Sequence, residues 1–303
     1  MAKYLALQSN VFMIFAFYTV FASFSSLVKV DTLNTLSLVL VVAMFGVPHG
    51  ALDTLFAKKA FTLNTTFSWF LFISAYLSLS AIVLVLWFLF PTILFMLFLG
   101  FSAVHFADDL RDRKSVFRDI LYGLNIIILP SIFYSNDLAV LYGYLIDSTY
   151  AVNVVIIMRP VAILSALLTL WVALTSALNA HDSRDKRPMI ELMAVSVLMS
   201  LVQPLLAFTI YFCLMHSARH IIRAKFYFNE YSNAALLIAL VIPTLAVIVL
   251  CGLTFQVLPT GKVNENLIKV TFATLAALTF PHAFLLSKVG FMQWLKSHSS
   301  RKN

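Results

Sequence analysis

Apolar residues run along this chain in long unbroken blocks separated by short polar connections. The blocks are Val11–Val30, Leu36–Phe56, Trp69–Phe90, Ile93–Val104, Val161–Leu178, Leu205–Met215, Ala234–Phe255 and Leu267–Phe280. About 20 apolar residues cross a bilayer as a helix, and in hydrocarbon only helices and closed barrels satisfy their own backbone hydrogen bonds. No block alternates with the period of two that a barrel strand needs. The pattern therefore predicts an all-α fold, a polytopic transmembrane helical bundle of about 8–10 spans. Val116–Tyr134 supplies a further span, Met189–Leu201 is short for a crossing, and Asp137–Met158 is polar for a helix in lipid. Val11–Val30 exceeds a signal-peptide core of about 7–15 residues and reads as the first span. No linker or low-complexity stretch interrupts the blocks, so residues 1–303 read as a single integral-membrane domain.

Composition agrees: 61% of residues are hydrophobic and 11% charged, with mean hydropathy +0.94, where a soluble domain carries about a quarter charged residues. The formal net charge of +8 does not indicate nucleic acid, because Lys and Arg gather in short connections. These groups lie at Lys58–Lys59, Arg111–Arg118, Arg184–Arg187, Arg223–Lys225 and after Lys288. Positive connections face the cytoplasm, which puts both termini inside and predicts a multi-pass protein of the inner (plasma) membrane, with the lipid bilayer as its surroundings. Cys213 and Cys251 both lie in apolar runs and indicate neither a disulfide framework nor a zinc knuckle.

The same topology brings His49, His105, His216, His220 and His282 into the cytoplasmic half of the membrane. An ionisable residue inside a bilayer is costly and marks a functional site by default. Gly46–Asp53 and Ser102–Asp109 share the pattern His-x-x-x-Asp, and residues four apart lie on one helix face. Asp53 and Asp109 can each orient a histidine of their own helix or of a neighbour, and Asp109 can alternatively pair with Arg113 on the surface. His216 and His220 are also four apart, the spacing by which two imidazoles reach one ion. No Glu follows His216, so protease chemistry is not indicated. Arg219, between the two, can satisfy a carboxylate or a helix end. A single histidine in a membrane helix commonly bonds a neighbouring helix or snorkels; five at one depth predict a metal site. Imidazoles without thiolate suit iron, copper, zinc or nickel. The 28 phenylalanines make the surroundings apolar, which suits a lipid-soluble substrate and dissolved O2 and favours iron. His181 and His298 lie in polar segments and receive no role.

At these residues the chain resembles the Brp/Blh family of bacterial and archaeal β-carotene 15,15′-dioxygenases. The resemblance rests on Pro48-His49-Gly50-Ala51-Leu52-Asp53, on His105-Phe106 with its nearby Asp, on His216 and His220 flanking Arg219, and on Pro281-His282. It runs from about Gly46 to Phe284, with Ala107 where the family often has Gly. It implies an integral-membrane enzyme that uses Fe(II) and O2 to cleave the central double bond of β-carotene into two molecules of all-trans-retinal, a product that could supply a retinal-binding opsin. It also implies that His49, His105, His216 and His220 hold the iron, with no catalytic residue beyond that centre. Asp53, Asp109, Arg219 and His282 would then be outer partners of the ligands. Phe101, Phe106, Phe208, Tyr211 and Phe212 flank the motifs and are candidates for the walls of a substrate tunnel. The alternative is a membrane transporter or channel with a His/Asp proton relay. The adjacent histidines of a di-iron desaturase are missing, and a haem clamp fits poorly with two histidines of one helix facing one point.

Overall fold

The computed structural model describes residues 1–25, 35–110, 115–178, 186–260 and 262–300. The helices are α1 (Ala2–Ser25), α2 (Thr35–Ala60), α3 (Thr66–Leu89), α4 (Pro91–Leu110), α5 (Val116–Phe133), α6 (Ser135–Gly143), α7 (Ser148–Leu178), α8 (Lys186–Leu201), α9 (Pro204–Tyr227), α10 (Asn233–Val257), α11 (Val263–Lys288) and α12 (Phe291–Ser300). Among the described residues there is no strand, and nine helices are long and apolar enough to cross a membrane: α1 to α5, α7 and α9 to α11. The chain is thus a polytopic helical bundle of the kind its apolar blocks predict.

Local chemistry sets the helix ends. Thr65 and Ser68 form a reciprocal capping box at the start of α3, which satisfies backbone donors that a helix start leaves free. The Ser115 and Ser232 side chains cap α5 and α10. Gln203 caps α9, with Pro204 in the first helical position, where a missing N–H costs nothing.

Two segments differ from simple spans. Asp137–Met158 is not one helix: α6 ends at Gly143 and α7 begins at Ser148. In the break the Asp147 carboxylate accepts from the Thr149 N–H at 2.9 Å, and the Leu145 carbonyl accepts from the Trp87 indole at 3.3 Å. The polar residues of that stretch therefore satisfy a turn. Helix α8, at 16 residues, falls short of a crossing and packs against α1, α5 and α7. Residues 26–30 of the first predicted span and Arg111–Lys114, Arg113 included, lie outside the described residues, as does His181.

Among the described helices, α4 and α5 pack against each other most extensively. A Cβ placed on Gly123 of α5 would overlap the Ala103 carbonyl and crowd the Ala107 amide of α4. Close backbone approach through small residues is how membrane helices gain packing energy without a hydrophobic drive. Asn125, two residues further along α5 and so on another face, is fully buried among α7 and α8. It donates to Thr169 and Ser196, each at 2.9 Å, and accepts from Ser165 at 2.6 Å. Every polar atom of that cluster's amide is used, so the network joins three helices without leaving a group unsatisfied. The network anchors α5 to α7 and α8, and the close approach at Gly123 holds α4, with its His105, against α5.

Gly123→Ala should destabilise the detergent-solubilised protein by about 1–3 kcal/mol, the usual cost of overpacking. Thermal unfolding would show it, whereas Gly252→Ala, with open space around the added carbon, should leave the transition in place.

Candidate metal centre

Helix irregularity positions the first histidine. The α2 backbone widens into a π turn over Val42–Gly46 and then meets Pro48, which has no N–H to give. The Gly50 N–H bonds Val47 three residues back, at 3.1 Å, so the Gly46 carbonyl is left without its usual helical partner. His49 Nδ1 lies 2.6 Å from that oxygen. A carbonyl can only accept, so Nδ1 carries the proton and Nε2 keeps the lone pair. A second π turn, Tyr211–Ser217 in α9, holds His216. The two π turns pack face to face: Ser217 Oγ donates to the Phe45 carbonyl at 2.6 Å, and Cys213 Sγ stands 3.6 Å from the Val41 carbonyl. Gly46 makes that approach possible, because a Cβ there would stand 2.5 Å from a ring carbon of Phe212. Widened turns of this sort occur frequently at functional sites.

Five imidazoles converge. Ring centroids of His49 lie 4.8 Å from His216, 5.6 Å from His220 and 5.4 Å from His282. His105 lies 4.9 Å from His216 and 5.7 Å from His282, and His220 lies 5.2 Å from His282. The side-chain nitrogens of His49, His105 and His282 come within 4.8 Å of one another. An ion with bonds of about 2.1 Å has opposite donors about 4.2 Å apart, so this spacing is near what a single ion requires. The Nε2 atoms of His216, His220 and His282 are buried without any hydrogen-bond partner. A buried acceptor left unpaired costs about 1–3 kcal/mol, and a metal ion removes that cost for several lone pairs at once. The donor set fits a first-row transition metal.

The two carboxylates reach across helices. Asp109 Oδ2 of α4 accepts from His216 Nδ1 at 2.9 Å and from the Tyr211 hydroxyl at 2.6 Å. Asp53 Oδ1 of α2 accepts from His282 Nδ1 at 2.6 Å, while its Oδ2 accepts from the Tyr76 hydroxyl at 2.7 Å. Neither serves the histidine four residues before it. Asp109 is buried, which leaves no room for a surface pairing, and its cationic neighbour is Arg223 at 3.8 Å.

Arginines close the end of α4. Arg219 forks onto Glu191 of α8 at 2.9 and 3.0 Å and donates to the Asp109 carbonyl at 2.7 Å. Its Nε bonds Gln8 of α1 at 3.1 Å. Arg223 donates to the Asp108 and Asp109 carbonyls at 3.1 and 2.9 Å. It is buried, not a free loop cation as its sequence position predicts, because the last carbonyls of α4 need donors and a helix C-terminus favours positive charge.

A cavity of about 500 Å³, lined almost wholly by carbon, adjoins the cluster and includes His49, His105, His216 and His282 in its wall. Phe106, Phe208 and Phe212 line it; Phe101 and Tyr211 do not. Phe101 stacks beside His105 and Phe280, and Tyr211 is consumed by Asp109. Sequence reasoning misses Tyr76, Phe98 and Tyr142 in the wall, since none sits near a histidine motif. Glu191 is also missed, although a lone acid in an apolar stretch is a signal that a partner must exist.

The family model described as Beta-carotene 15,15'-dioxygenase matches residues 40–289. A relative from uncultured marine bacterium 66A03 carrying the name Beta-carotene 15,15'-dioxygenase is 25% identical over 277 residues, which cover 86% of this chain and 94% of its own length. No solved structure matches the chain significantly.

Loss of an outer carboxylate commonly lowers metal affinity about 10–100-fold. Asp109→Asn, which replaces the acceptor of His216, should weaken metal retention within that range in a chelator competition with the purified protein.

Proposed function

The chain belongs to the beta-carotene 15,15'-dioxygenase family, and from that premise we propose that it cleaves the central double bond of β-carotene with O2 on an Fe(II) centre held by His49, His105, His216 and His220. Enzymes of this family are oxidoreductases. The observation that carries the reading is the shared wall: the histidine cluster and the apolar cavity are one space. A hydrocarbon can therefore lie against the metal site without crossing water. The reaction breaks the C15–C15′ double bond and leaves one oxygen atom on each carbon, giving two retinal molecules with no external reductant. Iron, when bound, would exchange single electrons with O2 and so let triplet O2 react with a closed-shell polyene, which redox-inert zinc would not.

The residues of the chain do the rest by orientation and exclusion. Gly46, Asp109 and Asp53 fix which nitrogen of His49, His216 and His282 faces the centre. Phe212 stacks on the His216 ring and Phe106 meets its edge, so these flat walls define where a polyene can lie. On the basic side, Phe56, Tyr227, Phe228 and Phe291 pack beneath His220 and exclude water from that direction. Lys59 sits over the Tyr227 ring at 4.0 Å and Lys288 over Phe61 at 5.3 Å. Such cation–aromatic pairs suit a membrane–water boundary and favour a site in the cytoplasmic half of the inner membrane.

Entry is lateral in this reading. Ile73 and Leu77 of α3 and Ile242 of α10 line the cavity, yet Leu77 is 54% and Ile242 62% exposed. The cavity thus reaches the surface on a lipid-facing flank between these helices, beside Pro243. A carotene dissolved in the bilayer enters there, and retinal leaves by the same route, available to a retinal-binding opsin. A proton relay for transport would need a polar wall along its path, and away from the histidine cluster this wall is almost wholly carbon.

Expression in a bacterial host that accumulates β-carotene tests the activity: carotene should fall and retinal rise in a 1:2 ratio. Folded protein in the membrane with carotene unchanged, or with aldehydes of unequal length, would overturn it. Ile242→Trp should slow conversion of membrane-dissolved carotene with metal content unaltered. Leu253→Trp, an exposed position on the same helix outside the cavity wall, should not. Equal rates for the two variants would remove the flank as the entrance.

A further inference from the structure

We propose that His282 is a fifth nitrogen donor to the metal centre, aimed into it by Asp53 and Tyr76; this rests on the metal-centre reading above. Its sequence position, beside a lone Pro281 far from the other motifs, suggests an outer role, and the geometry argues otherwise.

The His282 ring is fixed from behind. Its Nδ1 lies 2.6 Å from Asp53 Oδ1, and the other carboxylate oxygen is filled by the Tyr76 hydroxyl at 2.7 Å. With both oxygens of Asp53 occupied as acceptors, the proton of His282 resides on Nδ1 and the lone pair on Nε2. That Nε2 is buried and has no hydrogen-bond partner. The same construction holds His216, where Asp109 takes Nδ1 and Tyr211 takes the carboxylate, and Nε2 is again buried without a partner. Two helices that share no sequence motif thus present an imidazole in the same Tyr–Asp–His arrangement. That arrangement is the one by which a carboxylate fixes the tautomer and raises the basicity of a metal-binding histidine.

An outer role would require His282 Nε2 to bond one of the other histidines, and none of them, His105 and His220 included, makes a hydrogen bond to it. His49 gives its N–H to Gly46 and His216 gives its own to Asp109. Neither can donate to His282 Nε2. Contact with a polyene would not satisfy the lone pair either, since a hydrocarbon offers no strong donor. The trio of nitrogens that lies closest to the spacing of a single ion consists of His49, His105 and His282. A positive ion among them is the partner the Nε2 atom lacks.

Co(II) loaded into the full-length protein in detergent provides the probe, with metal retained after desalting and the visible ligand-field bands as readouts independent of turnover. If His282 is a donor, His282→Ala should lose Co(II) at least as completely as His49→Ala, and added imidazole should restore both metal and bands by filling the vacated space. Asp53→Asn should retain the band pattern and lose affinity by about 10–100-fold. Should His282→Ala aggregate, His282→Gln keeps a hydrogen-bond donor toward Asp53 and most of the volume, and must show weakened retention with altered bands. Wild-type retention and unchanged bands in His282→Ala or His282→Gln, beside loss in His49→Ala, would overturn the fifth donor and leave the four-histidine reading standing. If the wild-type protein itself retains neither Co(II) nor Fe(II), both readings fall together.

Discussion

Every other feature of this site depends on the hydrogen bonds that His49, His216 and His282 make on the side away from the centre. In hydrocarbon an imidazole has no water to satisfy it, so the protein must find a partner for one nitrogen before the other can be useful. His49 uses a carbonyl freed by a proline and a tightened turn; His216 and His282 use carboxylates from other helices. Those carboxylates are themselves buried, and each is tolerable only because a tyrosine hydroxyl joins it and, at Asp109, an arginine stands near. The demand propagates outward from imidazole to carboxylate to the Arg223 guanidinium, and beside it Arg219, bonded to the Asp109 backbone carbonyl, is closed by Glu191 of α8 and Gln8 of α1. Removing one member of such a network leaves a buried charge unpaired, which is why buried pairs cost so much to break.

The same logic explains why the helices are irregular where they are. In a straight helix each interior carbonyl already has a backbone donor, so a side chain can only share it. The π turns in α2 and α9, with Pro48, interrupt that self-sufficiency within a turn or two of His49 and His216. Ser217 and Cys213 then reach carbonyls of the facing helix, so the two distortions brace each other. Pro281 places a similar interruption beside His282. Away from the centre the helices rely on ordinary capping and small-residue packing, as at Thr65 and Gly123.

How much of this could be read from the sequence follows from the range of each interaction. The bundle was legible because hydropathy is a property of each block by itself. The convergence of His49, His105, His216, His220 and His282 was legible because the basic connections set a common depth, although Arg223 turns inward to cap α4. The partners of the carboxylates were not. Spacing puts Asp53 on the face of His49, whereas it serves His282, 229 residues away; that pairing is decided by how α11 lies against α2 and α3. Tyr76 and Glu191 carry no motif and become meaningful only beside Asp53 and Arg219. The cavity wall follows suit: aromatic residues near the motifs are partly in it and partly behind it, and adjacency in sequence does not say which.

Openness toward lipid and closure toward water come from one asymmetry in the packing. Toward the lysines the centre is covered by Phe56, Tyr227, Phe228 and Phe291, interlocked edge to face. Toward α3 and α10 the wall includes side chains that are half exposed on the outer face of the bundle. A hydrophobic substrate and O2 both concentrate in hydrocarbon, and water does not. On the function proposed above, a route through the flank admits the reactants and rejects the solvent without any moving lid, because the bilayer itself performs the selection. The dense aromatic cover is then needed only on the side where water lies. Charged residues that would attract water into the site are either committed to helix ends, as Arg219 and Arg223 are, or held out over aromatic faces, as Lys59 is.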